Sequence, residues 1–278
     1  MSAPDQRTAD AFATSWNNLP RGSVYTREQV VDWFAPLAPA DIRGRRVLEM
    51  GCGNASLMVH VMEWGPARLD GIDLGGSVES ARANLRHFPA ESWSVERADL
   101  VAFSSPGYEV VYSIGVLHHL DEPRAGFEAV VRNTRPGGRF HCWVYAREGN
   151  AVVIALVDPL RRLASRLPWW LTKYGLATPL AVPFYAYAKL LCALPRWRAL
   201  RALPLHGYAM WIGPREFAFF RHVAFDQLVT PRTVYLDRAT IEGWLADNAA
   251  VEPGSTYVTM RNGNSWKFGG VSRNTPNR

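Results

Sequence analysis

Two glycines at the end of a predicted strand are the first candidates for ligand chemistry in this chain. Val47–Met50 has the pattern of a short buried strand, Gly51 and Gly53 interrupt it, and an apolar pattern at helical spacing resumes at Ser56. Such a strand–turn–helix unit lets a ligand approach the backbone and directs N–H groups of a helix start towards it. Glu49 adds a carboxylate two residues before the first glycine.

Two more acids stand at the ends of predicted strands, Asp73 after residues 67–72 and Asp99 after residues 93–98. Asp73 follows Gly51 at about the interval at which an acid binds the ribose diol in nucleotide-binding folds. A carboxylate suits that task because it can accept hydrogen bonds from two hydroxyls. Asp99 could accept from the exocyclic amine of an adenine. A helix N-cap or turn is the alternative role for each acid.

Three histidines are candidate general bases. His118 and His119 follow a fourth predicted strand, and neighbouring side chains at a helix start point in different directions, so we expect at most one to face a substrate. His119 is the first choice. His222 lies four residues before Asp226 in an aromatic helical stretch, a spacing that lets the carboxylate orient the imidazole. Packing or a local surface pair is the alternative. The sequence shows no carboxylate–histidine cluster with ligand spacing, so no metal site is predicted.

Alternating strands and helices must position these residues. Five strand-like segments alternate with helical patterns, at residues 47–50, 67–74, 93–100, 108–115 and 139–145. This order predicts an α/β fold with a doubly wound parallel sheet. Ligands of such sheets bind at the carboxyl ends of the strands, so the glycine turn, the two aspartates and residues 113–119 should converge there. That convergence indicates a nucleotide-like ligand more strongly than any single motif.

The N-terminal region is aromatic and polar. Thr26, followed by Gln29 at the third position and then Val30, predicts a capped helix start. Packing against the sheet is the favoured role of this region. The alternative is a cover over a cofactor, with Tyr25 able to reach a carboxylate.

Composition limits the class of protein. A chain of 278 residues with 48% hydrophobic and 20% charged residues can form a large globular core. Cys52, Cys142 and Cys192 are far apart and form no C-x-x-C pair, which indicates reduced intracellular thiols. Residues 1–10 are polar, with no apolar run of signal-peptide length, so we expect a cytoplasmic protein.

Residues 147–236 lack the sheet pattern and should form a helical insertion. Residues 151–225 contain ten lysines and arginines and two acids, a net charge of +8, whereas the rest of the chain carries −2. Three interpretations are open: a lid with solvated arginines, a site for a hydrophobic acceptor with an anionic group, or peripheral membrane contact. Nucleic acid is a weaker fourth, because no recognition motif accompanies the charge. Prolines and Lys189 in the apolar tract 176–194 argue against a bilayer span.

Taken together, the motifs resemble those of the class I S-adenosylmethionine (SAM)-dependent methyltransferases, most closely the small-molecule branch. The resemblance rests on V-L-E-M-G-C-G-N, G-I-D-L, A-D-L, V-V-Y-S-I-G-V-L-H-H-L and R-P-G-G-R-F, in the family order over residues 45–145. It implies a Rossmann-like, mostly parallel seven-stranded sheet with an antiparallel last strand and a helical insertion after the fifth strand. The predicted domains are an N-terminal helical cap (1–40), a SAM-binding core (41–146), a helical lid insertion with the acceptor site (147–236), and the last helix and closing hairpin of the core (237–278).

The resemblance also implies a set of cofactor contacts. The match to the glycine turn holds the methionine part of SAM, the match to Asp73 holds the ribose, and the match to Asp99 holds the adenine. Ser113 begins the segment that lines the methyl end. The predicted SAM-binding residues are Glu49, Gly51, Cys52, Gly53, Asn54, Asp73, Leu74, Asp99, Leu100, Ser113, Ile114 and Tyr25.

Two departures from common patterns refine the predicted function. Ala55 stands where many members have a third glycine, and residues 113–116 lack the [DN]-P-P-[YF] pattern of many nucleic-acid and protein-glutamine N-methyltransferases. The resemblance therefore favours methyl transfer to an O, N or C atom of a small hydrophobic molecule, with S-adenosylhomocysteine as product. The alternatives are SAM binding without methyl transfer, a methyltransferase for protein or nucleic acid, and a dinucleotide oxidoreductase, which the missing third glycine disfavours.

Overall fold

The computed structural model describes residues 3–17, 25–194 and 197–273. The strands are β1 (Arg46–Met50), β2 (Arg68–Asp73), β3 (Trp93–Arg97), β4 (Tyr108–Ile114), β5 (Thr134–Tyr145), β6 (Tyr257–Arg261) and β7 (Ser265–Val271). The helices are α1 (Ala3–Asn17), α2 (Arg27–Phe34), α3 (Pro39–Ile42), α4 (Met58–Met62), α5 (Val78–Leu85), α6 (Pro123–Asn133), α7 (Ala151–Ala164), α8 (Thr178–Ala193), α9 (His206–Ile212), α10 (Phe217–Val229) and α11 (Arg238–Asp247). Short 3₁₀ turns span Ala90–Ser92, Leu117–His119 and Arg198–Ala202, and a π-helical segment, Leu171–Ala177, leads directly into α8.

These elements belong to two compact units. The first comprises the described residues of 1–145, 232–259 and 266–278, and the second comprises those of 146–231 and 260–265. The tip of the closing hairpin thus belongs to the second unit, a division that the sequence did not indicate.

Across the described ranges, seven strands form one sheet in the order β3-β2-β1-β4-β5-β7-β6. The first five strands are parallel to their neighbours. Hydrogen bonds join Gly138 to Ser272 and Ala146 to Asn264, so β7 runs antiparallel to β5. The predicted fold class is therefore confirmed. The strand order reverses between β1 and β4, which is where ligands bind in doubly wound sheets.

The apolar sequences of β1 and β4 fit their central positions in the sheet. Val47, Leu48 and Met50 in β1, and Val111 and Tyr112 in β4, are fully buried. Strands covered on both faces need such near-continuous apolar runs. The capped start of α2 is also confirmed, because Thr26 and Gln29 exchange hydrogen bonds between side chain and backbone.

The R-P-G-G motif does not end an element, although a proline followed by two glycines usually does. It forms a bulge inside β5, where the step from Tyr108 to Val110 in β4 is matched by the step from Thr134 to Arg139. Gly137 has a φ of +72°, which glycine adopts without strain. The strand can therefore begin directly after α6 and still regain its register with β4.

Small side chains allow close helix packing in the second unit. Ala181 and Ala188 of α8 are buried with Ala209 of α9 and Phe220 of α10. Among the residues that the structure describes, one helix, Leu171–Ala193, is long and apolar enough to cross a membrane by length and composition alone. Only 22% of its most apolar window is buried.

The packing of β7 in the first unit should require glycine at position 269. A Cβ at Gly269 in β7 would lie 2.3 Å from the Phe140 carbonyl oxygen and 2.5 Å from the Tyr257 hydroxyl. We expect Gly269→Ala to lower the free energy of unfolding by roughly 1–3 kcal/mol through overpacking. A Cβ at Gly243 in α11 meets no atom within 4 Å, so Gly243→Ala should raise it by roughly 0.5–1 kcal/mol. Urea unfolding measures both, and equal stability of the two variants would contradict this packing.

Candidate active site

The glycine turn lies at the point where the strand order reverses. The N–H groups of Gly51 and Cys52 donate to the Ile72 carbonyl at 2.8 and 2.9 Å, which anchors the turn to β2. Gly51 has a φ of +89°, and a Cβ there would lie 2.5 Å from the Val116 side chain. Both the backbone conformation and the lack of space therefore require glycine at this position.

Ala55 stands where many family members have a third glycine, and its backbone conformation is one that suits glycine. It is fully buried and has a φ of +64°, a left-handed conformation that costs alanine about 1–2 kcal/mol. The backbone conformation alone therefore favours a glycine here. The helix that follows, α4, begins only at Met58, two residues later than the apolar pattern predicts.

Asp73 joins the end of β2 to the glycine turn. Its Oδ2 accepts from the Gly53 N–H at 2.8 Å, and its Oδ1 accepts from the Gly75 N–H at 2.8 Å and from the Ser77 hydroxyl at 3.4 Å. Burial raises the pKa of Asp73 above its ordinary value, and the two N–H groups oppose that rise. The carboxylate thus holds two strand ends together at the reversal point.

Glu49 is a second carboxyl group beside the turn, and it is buried. The Tyr112 hydroxyl of β4 donates to Glu49 Oε2 at 2.9 Å. Burial raises the pKa of Glu49 to about 8; the Tyr112 hydrogen bond lowers it, and the nearby Asp73 charge raises it further. Burial likewise raises the pKa of the Cys52 thiol well above its usual range, so this cysteine is not an activated nucleophile.

Asn54 and Ser113 stabilise the backbone around the turn. The Asn54 side-chain oxygen accepts from the Ser56 N–H at 3.2 Å and from its hydroxyl at 2.7 Å, and the Asn54 carbonyl accepts from Asn84 Nδ2 at 2.9 Å. The buried Ser113 hydroxyl donates to the Met50 carbonyl at 2.8 Å. These bonds fix the shape of the turn and the position of β4 against β1.

The remaining predicted residues of the core follow β2, β3 and β4. Asp99 is half-buried and its Oδ1 accepts from the Val101 N–H at 2.9 Å. Leu100 and Ile114 are buried. Leu74 directly follows Asp73 at the end of β2. The structure therefore places these residues at or just beyond the carboxyl ends of β2, β3 and β4, as the parallel order requires.

Tyr25 lies just before the capped start of α2. Its ring contacts the Trp33 ring edge-on, with 4.6 Å between centroids, and its carbonyl lies 3.0 Å from His60 Nε2 in α4. The N-terminal segment is thus joined to the helix that follows the glycine turn. The reach of Tyr25 to a cofactor carboxylate remains a prediction.

His119 is held by a chain segment far away in sequence. Its Nδ1 lies 3.1 Å from the Arg232 carbonyl oxygen and 3.2 Å from the Thr233 hydroxyl. A carbonyl oxygen only accepts hydrogen bonds, so the contact favours a proton on Nδ1 and a lone pair on Nε2. That tautomer is the one in which Nε2 can act as a base.

His118 does not diverge from His119 as expected, because the two rings lie 4.1 Å apart between centroids and both contact Tyr145. It is fully buried, and its ring packs against Tyr145 with 4.1 Å between centroids. The His118 carbonyl accepts from the Val234 N–H at 2.7 Å, and the Tyr145 carbonyl accepts from the Leu236 N–H at 3.1 Å. The segment that contains Val234 and Leu236 thus crosses the ends of β4 and β5.

Several residues of this site were missed by the sequence analysis, namely Tyr112, Tyr145, Arg232 and Thr233. Tyr112 pairs with Glu49 through the register of β1 and β4, which the sequence does not contain. The contact of His119 with Arg232 depends on where the chain returns after the insertion, and no local pattern signals that return.

His222 belongs to the second unit, whereas the predicted cofactor residues belong to the first. Its Nε2 lies 3.2 Å from Asp226 Oδ2 within α10, the contact that the four-residue spacing allows. Within the described part of the chain, no group of three His, Cys, Asp or Glu side chains is arranged to hold a metal ion.

Comparison with known proteins gives a family match for more than half of the chain. Residues 24–180 match a family model described as a methyltransferase domain. A tRNA U34 carboxymethyltransferase from Azotobacter vinelandii is 31% identical over 145 residues, which cover 50% of this chain and 45% of that protein. A ubiquinone biosynthesis O-methyltransferase from Neisseria meningitidis is 32% identical over 103 residues, which cover 36% of this chain and 43% of that protein. The chain thus matches less than half the length of these curated relatives.

A solved structure shows the same fold over the whole chain. The magnesium protoporphyrin IX methyltransferase from Synechocystis PCC 6803 with bound SAM aligns with a TM-score of 0.53 and 15% identity, covering 99% of this chain and 100% of that one. At this identity the likeness concerns the fold alone. The family match, the confirmed fold and the ordered motifs together show that this chain belongs to the methyltransferase domain family, of the class I SAM-dependent type that its sequence resembles.

Proposed function

We propose that this chain transfers the methyl group of SAM to an O, N or C atom of a small hydrophobic molecule. The observation that most directly supports SAM as the cofactor is the pair of carboxyl groups, Glu49 and Asp73, beside the glycine turn. Their position at the point of strand-order reversal is where a doubly wound sheet binds its ligand.

The carboxyl pair favours a cationic ligand over an anionic one. The charge of Asp73 raises the pKa of Glu49, so the two groups repel each other when both are ionised. SAM carries a sulfonium and an ammonium group, which would relieve this repulsion, whereas a pyrophosphate would increase it. The N–H groups of residues 51–53 donate to the Ile72 carbonyl and the Asp73 carboxylate, so they form no cradle for phosphate. A dinucleotide oxidoreductase therefore has little support.

The residues at the strand ends can bind the other parts of SAM. A carboxylate offers about four acceptor positions, and three at Asp73 receive protein donors, which leaves capacity for a ribose hydroxyl. Asp99 and Leu100 follow the next strand along the sheet and would contact the adenine. Bound SAM would supply an activated methyl group, so the protein needs only to position the acceptor, exclude water and remove a proton.

His119 is the proposed base for a hydroxyl or amine acceptor. The Arg232 carbonyl and the Thr233 hydroxyl hold the ring through Nδ1, and the tautomer with a proton on Nδ1 makes Nε2 the basic nitrogen. A positioned base of this kind typically contributes about 10²–10⁴ in rate. His118 is fully buried between aromatic side chains and is the weaker candidate.

The acceptor class rests on sequence and on relatives. The [DN]-P-P-[YF] pattern is missing from residues 113–116, which disfavours exocyclic base amines. Relatives are named as O-methyltransferases of ubiquinone biosynthesis and of malonyl-[acyl-carrier protein]. Another relative is a tRNA carboxymethyltransferase, so RNA is the acceptor class that a test must separate.

Transfer of a labelled methyl group tests the proposed reaction. Purified protein, SAM with a labelled methyl group and an extract of the source cells would be incubated, and the products divided between organic solvent, water and precipitate. We expect label in the organic phase, and less of it from Asp73→Asn when SAM is present below saturation. Label in the precipitate would indicate a protein or nucleic acid acceptor. Binding of S-adenosylhomocysteine without any transfer would favour a SAM-binding protein that is not a methyltransferase.

Asp73 should control cofactor affinity. Asp73→Asn removes a charged acceptor, so we expect the Kd for S-adenosylhomocysteine to rise roughly 10- to 100-fold, as for loss of a hydrogen bond to a charged group. Asp70→Asn on the same strand is the matched control, because Asp70 bonds to Arg68, Ser94 and Tyr108 instead. It should lower stability but leave the Kd unchanged. Isothermal calorimetry measures both, and equal Kd changes would contradict the assignment.

Glu49 should release a proton when SAM binds. Its raised pKa of about 8 means that the free protein holds this proton at neutral pH, and a nearby cation favours the ionised form. At about pH 7 we expect the wild type to release up to one proton more than Glu49→Gln does, and its affinity for SAM to rise with pH below the pKa. Calorimetry in buffers of different ionisation enthalpy counts these protons. Equal proton release by the wild type and by Glu49→Gln would show that Glu49 does not ionise when SAM binds.

A further inference from the structure

The second unit has a helix whose exposed side carries no charge. Helices on the surface of soluble proteins normally expose polar and charged side chains. Here Trp170 is 53% exposed and Leu190 is 57% exposed. The exposed residues between 168 and 193, which we call the apolar face, are Pro168, Trp169, Trp170, Leu171, Tyr174, Gly175, Pro179, Leu180, Val182, Pro183, Ala186, Leu190 and Ala193.

The apolar face follows the whole length of the helix Leu171–Ala193. In its α-helical part the exposed positions 179, 182, 186, 190 and 193 recur every three or four residues, so they lie along one side. Large exposed apolar patches mark contact sites for proteins or membranes. We therefore expect the apolar face to contact a protein or a membrane.

The opposite side of this helix is already packed within its own unit. Ala181, Ala188 and Leu191 are buried against residues of α9 and α10. Lys189 also donates to the Arg215 carbonyl at 3.1 Å on that side. The helix can therefore present only one face to lipid, which fits a helix lying along a bilayer surface and not one crossing the bilayer.

Basic side chains accompany the aromatic end of the apolar face. Arg162 is exposed in the last turn of α7, and Arg166 is exposed in the short connection between α7 and Trp169. Lys173 Nζ lies 5.8 Å from the Tyr174 ring centroid, and the Arg221 guanidinium lies 5.5 Å from the same ring. Tryptophan and tyrosine beside arginine and lysine are typical of side chains at the headgroup level of a membrane.

We propose that the apolar face docks along the surface of an anionic phospholipid bilayer. Trp169, Trp170 and Tyr174 would insert at the level of the headgroups, and Arg162 and Arg166 would contact lipid phosphates. A second copy of the chain could also cover an apolar surface. Residues 151–225 carry a net charge of +8, however, which would repel an identical segment and attract anionic lipid. This inference does not depend on methyl transfer.

Vesicle binding of the full chain tests this docking. Vesicles of phosphatidylcholine with phosphatidylglycerol should sediment with the protein, vesicles of phosphatidylcholine alone should bind it far less, and added salt should weaken the binding. We expect the double variant Trp170→Ser/Leu190→Gln to lower the partition coefficient roughly tenfold or more. Arg162→Gln/Arg166→Gln should cause a similar loss on anionic vesicles only.

The matched control is Val31→Gln, which removes an exposed apolar side chain from the first unit and should leave binding unchanged. Circular dichroism establishes that each variant is folded, and the salt dependence of the wild type tests the proposal without any variant. Wild-type protein that does not bind anionic vesicles would overturn it. So would a dimer in analytical ultracentrifugation that Trp170→Ser/Leu190→Gln dissociates, because the face would then belong to a second copy.

Discussion

The hydrogen bond from the Gly53 N–H to the Asp73 carboxylate is the contact on which the candidate site depends. This 2.8 Å hydrogen bond joins the ends of β1 and β2. The Asp73 carboxylate thereby fixes the shape of the turn and places a carboxyl group beside it. The other turn N–H groups, those of Gly51 and Cys52, donate to the Ile72 carbonyl. The turn therefore presents carboxyl groups and not free N–H groups, and under the proposed function this would favour the cationic donor SAM over a dinucleotide.

Glu49 precedes the same turn and is buried beside Tyr112, its partner in the register of β1 and β4. A buried carboxyl group with a pKa near 8 is neutral in the free protein and ready to ionise when a cation arrives. Under the proposed function, SAM binding would offset part of the cost of burying this acid. The candidate polar groups lie at the strand ends, while the strands behind them are apolar and buried.

The sequence predicts the parts of the site that depend on neighbouring strands. Gly51, Asp73 and Asp99 follow successive strands of a parallel sheet, so their convergence could be derived before the fold was known. The pairing of Glu49 with Tyr112 needed the strand register, and the contact of His119 with Arg232 spans a sequence separation of 113 residues. The R-P-G-G bulge was missed because a glycine pair usually ends an element, whereas here β5 is paired on both sides of it.

Parallel calorimetric titrations of the wild-type protein with SAM and with NAD test the central claim most directly. If the carboxyl pair selects a cationic donor, SAM binds with one site per chain and NAD shows no heat of binding under the same conditions. Binding of NAD in place of SAM would contradict the assignment of the glycine turn. It would also show that Glu49 and Asp73 hold the strand ends together without choosing the ligand.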